Sequence, residues 1–260
     1  MRLEFAGKII ELLERLYAAP KLISYRNSYL QRLKLRDRTT LLDLGMGTAA
    51  NTLLVLQQFP HIHVDGADRS LEMLQHSRKK LQQMGFASQS RFLCLDAHSL
   101  SLRQDYYDFA IVSQVLSYVQ NPVRVLQELR SRMKPGGRIL LEDSDWESFI
   151  YNSGDNPAWT KIRSCWLTQS FRIDGGRRLR EFAHLAGLEV EQASSFHLQD
   201  DLFGEDLYGY WLAMIIADYA VRNGASSEGE VNDWLQTLKE LSELGCYYFG
   251  LNRMCVICFR

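Results

Sequence analysis

The chain has 260 residues, of which 46% are hydrophobic and 11% aromatic, and this composition excludes a disordered chain. Thirty basic and 31 acidic residues leave a net charge of -1, so nucleic acid is not an expected partner. The longest apolar stretch, Tyr210 to Ala217, is shorter than the about 20 residues that span a bilayer. The five cysteines are odd in number and lie mostly in apolar context, which predicts a reduced, cytoplasmic protein.

The first two thirds of the chain alternate between helical and extended patterns. Apolar spacing predicts a helix over 3–16 and a second one from Pro20 to about Leu35. Short apolar runs predict strands at 39–44, 61–67, 90–95, 107–113 and 138–142. Helical periodicity between them predicts helices at 50–58, 70–84 and 122–133. This alternation is typical of a doubly wound α/β domain, in which helices cover both faces of a parallel sheet.

The pattern changes after residue 145. It predicts a partly helical segment at about 156–170, a helix at 177–186, a strand at 188–196, helices at about 204–222 and 228–244, and a final strand at 254–259. The run Ser227-Glu228-Gly229-Glu230 fits a capping box. We expect residues 1–35 to form a helical cap on a domain of residues 36–260, with the helices at about 200–250 as an insertion in it.

Glycines follow the first predicted strand, where open α/β sheets bind ligands. Gly45 and Gly47 allow a tight turn close to a ligand, but Gly45-x-Gly47-x-x-Ala50 also satisfies a dinucleotide fingerprint. Asp43 helps to decide between the two, because a carboxylate beside this turn would repel a pyrophosphate. S-adenosylmethionine carries an ammonium and a sulfonium and no phosphate, so Asp43 favours that cofactor.

Aspartates also end the second and third predicted strands. Asp68 lies 21 residues after Gly47 and can accept hydrogen bonds from two ribose hydroxyls. This geometry is common to nicotinamide and S-adenosylmethionine sites. Asp96, followed by Ala97, can accept from an adenine amino group. Aspartate is also a favoured helix N-cap, which remains an alternative for any one of these positions.

Taken together, these motifs resemble the class I S-adenosylmethionine-dependent methyltransferases, and most closely the UbiE-like small-molecule enzymes. The resemblance covers residues 36–197 and the last strand, and it is carried by LLDLGMGTAANTLLVL, VDGADRSLEML, LDAHSLSL, the stretch from YDFAIVSQ to GGRILLED, and IDGGRRLREFAHLAGLEVEQ. It implies a Rossmann-like sheet of seven strands in the order 3-2-1-4-5-7-6, with the last strand antiparallel and helical cap elements around it.

The resemblance also implies which residues bind the cofactor. Those near the methionine moiety would be Asp43, Gly45, Gly47 and Ala49. The ribose would lie at Asp68 and Arg69, the adenine at Asp96 and Ala97, and the sulfonium and substrate at Ser113 and Gln114. Ala49 replaces the family's third glycine, and its methyl group narrows the loop.

Methyl transfer from a sulfonium is an in-line displacement that positioning and water exclusion can accomplish. A general base is needed only where the acceptor must lose a proton, and the candidates are His197, Glu142 and Asp145. His197 is equally compatible with a surface loop. Aromatic residues in the predicted cap favour a small, apolar or aromatic acceptor, methylated at oxygen, nitrogen or carbon.

No metal site is expected. Three-residue spacing on a strand directs Cys255 and Cys258 to opposite faces, and His61 and His63 lie at the start of a strand, away from the expected site. Two other functions remain open, an NAD(P)-dependent oxidoreductase and a non-catalytic S-adenosylmethionine-binding partner subunit. A monomer and a homodimer are both compatible with the sequence.

Overall fold

The computed structural model describes residues 2–36 and 38–260, and the side chains of residues 1–6 and of residue 37 lie outside the description. The described residues form one mixed sheet with the order β3-β2-β1-β4-β5-β7-β6. Its strands are β1 (Thr40–Leu44), β2 (His63–Asp68), β3 (Ser90–Cys94), β4 (Tyr107–Ser113), β5 (Met133–Tyr151), β6 (Glu189–Asp200) and β7 (Phe249–Phe259). Strands β1 to β5 pair in parallel, and β7 is antiparallel to both β5 and β6. The predicted doubly wound fold, strand order and antiparallel last strand are confirmed.

Helices cover both faces of this sheet. They are α1 (Arg2–Tyr17), α2 (Pro20–Arg32), α3 (Ala50–Gln58), α4 (Leu71–Gln83), α5 (Pro122–Arg132), α6 (Trp159–Leu167), α7 (Leu179–Leu185), α8 (Tyr208–Arg222) and α9 (Glu228–Glu243). The predicted capping box at the start of α9 is present, with the Ser227 side chain and Glu230 each bonding the other's backbone N–H. None of the helices in the described ranges is long and apolar enough to cross a membrane.

The last three strands are longer than the sequence predicts. Strand β5 continues to Tyr151, where its final residues pair with β7 after an irregularity between Asp145 and Ile150. The extension places Trp146, Phe149 and Tyr151 in the core, each almost fully buried. These aromatic side chains pack against the cap helices, so the extension is stabilised by tertiary contacts and not by a local apolar run.

Helices from both ends of the chain pack against one face of the sheet. Tyr25 of α2 stacks on Phe196 of β6 at a centroid distance of 4.5 Å, and Trp159 of α6 stacks on Trp234 of α9 at 5.2 Å. The buried residues of these helices belong to the same hydrophobic cluster as that face of the sheet. The division into residues 1–35 and 36–260 stays a prediction, and Met1 and Asp37 lie outside the described residues.

Candidate functional site

A cavity of about 690 Å³ lies at the carboxyl ends of β1, β2, β3 and β4, within the range of pockets that hold small molecules. The order of the strands reverses between β1 and β4, which is where sheets of this type bind ligands. The side chains and backbone that line it include Leu13, Tyr17, Arg26, Gly45, Gly47, Ala50, Asp68, Arg69, Asp96, Ala97, His98, Ser113, Gln114, Tyr118 and Phe171.

The turn after β1 has a backbone that favours glycine. Gly45 has φ +76°, and a Cβ built there would overlap the side chain of Val115. The N–H groups of Gly45 and Met46 both donate to the carbonyl of Ala67, at 2.7 and 3.0 Å, which fixes the turn against the end of β2. Ala49 has φ +60°, a left-handed conformation that is strained for alanine. The tight turn predicted at Gly45 is therefore present, while the close approach of a ligand to it stays a prediction.

Asp68, at the end of β2, connects this turn to the start of α4. Its Oδ2 accepts from the N–H of Gly47 and its Oδ1 from the N–H of Ser70, both at 2.9 Å. Both oxygens keep lone pairs for further donors, since each carboxylate oxygen can accept more than one hydrogen bond. Asp68 lines the cavity, and Arg69 lines it beside Asp68.

Asp96 and Ala97 line the cavity at the end of β3. The Asp96 carboxylate accepts from the backbone N–H of His98 at 2.8 Å and faces Nδ1 of the same residue at 3.0 Å. The backbone hydrogen bond, together with the His98 side chain, lowers the pKa of Asp96. Asp96 therefore remains an ionised acceptor at the rim of the cavity.

Asp43 does not line the cavity. Its side chain is buried beneath the turn and accepts a 2.6 Å hydrogen bond from the hydroxyl of Thr52 on α3. Burial raises the pKa of Asp43 to about 6. Ala49 is also buried and outside the lining, whereas the next residue, Ala50, is part of it. Asp43 and Ala49 therefore support the turn on its buried side. The sequence alone could not distinguish this position from direct contact with a ligand.

Ser113 and Gln114 line the cavity at the end of β4. The Ser113 hydroxyl donates to Oε2 of Glu142 at 2.7 Å. Gln114 has a left-handed backbone, with φ +56°, and its Oε1 accepts from the hydroxyl of Ser144 at 2.9 Å. A non-glycine residue held in this conformation at a cavity wall is a feature of functional sites.

None of the three candidate bases lines the cavity. Glu142 is buried in an ion pair with Arg253, whose guanidinium donates to its two oxygens at 2.6 and 2.9 Å. The carboxylate of Asp145 accepts two hydrogen bonds from Arg177, at 2.9 and 2.7 Å. His197 is exposed on β6.

The ring nitrogens of His197 are both occupied by neighbours on β7 and on the turn before it. Nδ1 lies 2.7 Å from Oδ1 of Asn252, and Nε2 lies 3.1 Å from the hydroxyl of Tyr248. The surface interpretation of His197 agrees with this position.

Arg26, a residue not predicted from the sequence, is the buried cation of the cavity. Arg26 is 3% exposed, and its guanidinium lies 4.4 Å from the ring centroid of Tyr17. Among the described residues it has no ion pair, and its Nε has no acceptor. The signal was available, because Arg26 lies on the same face of α2 as Leu22 and Tyr29, which are both fully buried.

The described residues contain no group of three or more His, Cys, Asp or Glu side chains that could hold a metal ion. All five cysteines are free. Burial raises the pKa of Cys255 and of Cys258 to about 12, so these thiols remain protonated in the core. His61 and His63 are exposed, near the opposite edge of the sheet from the cavity.

The chain is similar in sequence to known methyltransferases. Residues 35–201 match a family model described as a methyltransferase domain. A demethylmenaquinone methyltransferase of Bacillus velezensis is 31% identical over 188 residues, covering 66% of this chain and 80% of the relative. An uncharacterised 37.1 kDa protein encoded in a Streptomyces fradiae transposon is 28% identical over 185 residues, covering 70% of this chain and 52% of the relative.

The chain thus spans about half the length of one curated relative and most of the other. Among solved structures, the [4+2]-cyclase SpnF superposes with a TM-score of 0.64 at 19% identity, covering 92% of this chain and 80% of the cyclase. At that identity the likeness supports the fold alone.

Proposed function

Because the chain belongs to the class I S-adenosylmethionine-dependent methyltransferases, we propose that it transfers the methyl group of S-adenosylmethionine to a small-molecule acceptor. The observation that carries this proposal is the cavity at the reversal of strand order, whose lining includes Asp68 at the glycine turn and Arg26, which has no ion pair among the described residues. An acid at the ribose position and a buried cation together suit a ligand that carries hydroxyls and a carboxylate.

The lining residues divide naturally among the parts of the cofactor. Asp68, beside Arg69, would accept from the ribose hydroxyls, and Asp96 with Ala97 would contact the adenine. The methionine moiety would lie along Gly45 and Gly47, and its carboxylate would pair with the Arg26 guanidinium. Arg26 fits because a buried guanidinium without a counter-ion is costly until an anion arrives.

Ser113 and Gln114 would face the sulfonium. When bound, the cofactor would supply an electrophilic methyl group on its sulfonium. The protein's contribution is to hold the acceptor in line and to exclude water, which needs no covalent step on a protein residue. Tyr17, Tyr118 and Phe171 give the acceptor end an aromatic lining, which supports an apolar or aromatic acceptor.

The test is a calorimetric titration of the protein with adenosylhomocysteine and, separately, with NAD⁺ and NADP⁺. We expect adenosylhomocysteine to bind and the dinucleotides not to. Preferential binding of a dinucleotide would favour the oxidoreductase instead. Binding of adenosylhomocysteine without methyl transfer to any acceptor would favour a non-catalytic partner subunit.

The remaining predictions belong to the same proposal. A cytoplasmic location is supported by the five free cysteines, and the absence of a nucleic-acid partner by the balanced charge. A cap of residues 1–35 is supported by α1 and α2, which contribute Leu13, Tyr17 and Arg26 to the cavity. Sedimentation analysis would decide between a monomer and a homodimer.

A further inference from the structure

Among the described residues, the side chains that line the acceptor end of the cavity include no group that could remove a proton. The carboxylates and the imidazole of the lining, which are Asp68, Asp96 and His98, all follow β2 or β3, at the nucleoside end. Beyond Ser113, the described lining consists of apolar, amide and phenol side chains together with Arg26. An acceptor that must lose a proton during transfer would find no base there.

Glu142, which accepts a hydrogen bond from the Ser113 hydroxyl, does not serve as the missing base. Both of its oxygens accept from Arg253, and the pair is almost completely buried. Taking up a proton would leave the Arg253 guanidinium without its counter-ion, which is strongly unfavourable in the interior.

Two phenol hydroxyls are available as donors at the acceptor end. Tyr17 of α1 and Tyr118, which follows β4, both line the cavity, and the Tyr17 phenol contributes to the raised pKa of Tyr118. Burial raises the pKa of both phenols, so each keeps its proton and can donate it. The Tyr118 oxygen accepts from Nε2 of Gln169 at 3.3 Å, which leaves its own proton for a ligand.

The charge of the cofactor disfavours a cationic acceptor. Arg26 also lines the cavity, but the methionine carboxylate would balance its charge. An ammonium group on the acceptor would be repelled by the sulfonium of the cofactor. An anion would instead be attracted by the sulfonium and hydrogen-bonded by the two phenols.

We propose that the acceptor is a carboxylic acid with an apolar or aromatic body, bound as its carboxylate by the hydroxyls of Tyr17 and Tyr118 and methylated at oxygen without a protein base. This inference rests on the proposed methyltransferase function. A carboxylate lone pair forms the new O–CH₃ bond as the S–CH₃ bond breaks, and the bonding electrons stay on sulfur. The carboxylate becomes a neutral ester and the sulfonium a neutral thioether, so no proton moves.

The experiment compares three matched probes on the protein saturated with adenosylhomocysteine: hydrocinnamate, hydrocinnamamide and phenylpropylamine. Calorimetry should give an affinity for hydrocinnamate about tenfold higher than that for the amide, and weaker binding still for the amine. Equal affinities, or no measurable binding of the carboxylate, would overturn the inference.

Two conservative variants locate the effect. Tyr17→Phe and Tyr118→Phe keep the rings but remove the donors, and each should reduce the carboxylate preference to about threefold or less while the affinity for adenosylhomocysteine is unchanged. Tyr106→Phe, at a half-buried position outside the cavity, is the matched control. An unchanged preference in both cavity variants would contradict the assignment of the hydroxyls.

A turnover assay over arylalkanoic acids, amines and phenols should yield methyl esters of the acids. Methylation of amines or phenols alone would overturn the inference. Failure of adenosylhomocysteine to bind the unaltered protein would overturn the proposed function itself. Binding of adenosylhomocysteine without a carboxylate preference would overturn only the acceptor assignment.

Discussion

The main-chain N–H of Gly47 donates a 2.9 Å hydrogen bond to Oδ2 of Asp68, which ties the turn after β1 to the end of β2. This bond holds the carboxylate against the turn in the orientation that the ribose would meet. The two elements are 21 residues apart in the sequence, and they meet because β1 and β2 pair in parallel and end at the same edge. The central features of the site depend on this pairing.

Asp68→Ala should weaken binding of adenosylhomocysteine by about 1.5–3 kcal/mol, because it removes charge-assisted hydrogen bonds to the ribose. Calorimetry measures the change directly. Asp206→Ala is a suitable control, since Asp206 is exposed in the loop before α8 and outside the cavity. An affinity equal to that of the unaltered protein would remove Asp68 from the binding site.

Gly45→Ala and Gly85→Ala form a matched pair at similar backbone angles. Gly45 has φ +76° and Gly85 has φ +82°, but a Cβ at position 85 meets nothing within 4 Å, whereas one at position 45 overlaps Val115. Gly85→Ala should lower the free energy of unfolding by about 1 kcal/mol through backbone strain, and Gly45→Ala should lower it by more because its Cβ also overlaps Val115.

The Gly45 substitution alone should also reduce the affinity for adenosylhomocysteine, by more than about tenfold, because the turn must move to accommodate the methyl group. Urea unfolding and calorimetry on both proteins give the comparison. If both substitutions left binding equally intact, close approach of the ligand to this turn would be disproved.

Arg253→Met should lower the free energy of unfolding by about 3–5 kcal/mol, because it leaves the carboxylate of Glu142 buried without its partner. The double variant Arg253→Met with Glu142→Leu should recover much of this loss, since it removes both buried charges. Urea denaturation of the single and double variants checks the expectation. A loss below about 1 kcal/mol in the single variant would show that Glu142 finds another partner.

Asp143 gives a stability term that depends on pH. It is fully buried, and burial raises its pKa from 3.8 to about 7 in the folded protein. The folded state therefore holds this proton more tightly than the unfolded state, and folding is opposed increasingly as the pH rises from about 4 to about 7.

The side chain of the Asp143→Asn variant cannot ionise. Its free energy of unfolding should therefore rise relative to that of the unaltered protein between about pH 4 and about pH 7, and the difference between the two should be constant at lower and at higher pH. A constant difference between the two free energies of unfolding would reflect a lost hydrogen bond. The asparagine amide has one oxygen, so it can accept from only one of the N–H groups of Ser117 and Ser144, which now donate to the two carboxylate oxygens. Thermal or urea unfolding at a series of pH values measures the difference. Curves that stay parallel throughout would mean that Asp143 titrates normally.

The sequence predicted those features that depend on local pattern. The glycine turn, the capping box at Ser227 and the alternation of strands and helices follow from residue types that permit few backbone conformations. The strand order came from the resemblance to a family. The sequence could not show whether Asp43 contacts a ligand. Its carboxylate lies beneath the turn because it accepts a hydrogen bond from Thr52 on α3, a contact visible only in the structure.

The rest depends on contacts between distant segments. Glu142 looked like a candidate base because its partner, Arg253, lies 111 residues later on a strand whose register no local pattern fixes. Strand β5 was predicted to end at residue 142 because its extension is stabilised by aromatic side chains of α6 and α9. The helical spacing of Arg26 with Leu22 and Tyr29 predicts its burial, but only the structure shows that it lines the cavity beside Tyr17.

A crystal structure of the protein with adenosylhomocysteine tests the central claim most directly. We predict density in the cavity beneath α1 and α2, with the ribose hydroxyls bonded to Asp68 and the methionine carboxylate paired with Arg26. A ligand bound elsewhere, or a cavity that stays closed at saturating concentrations of adenosylhomocysteine, would contradict the account.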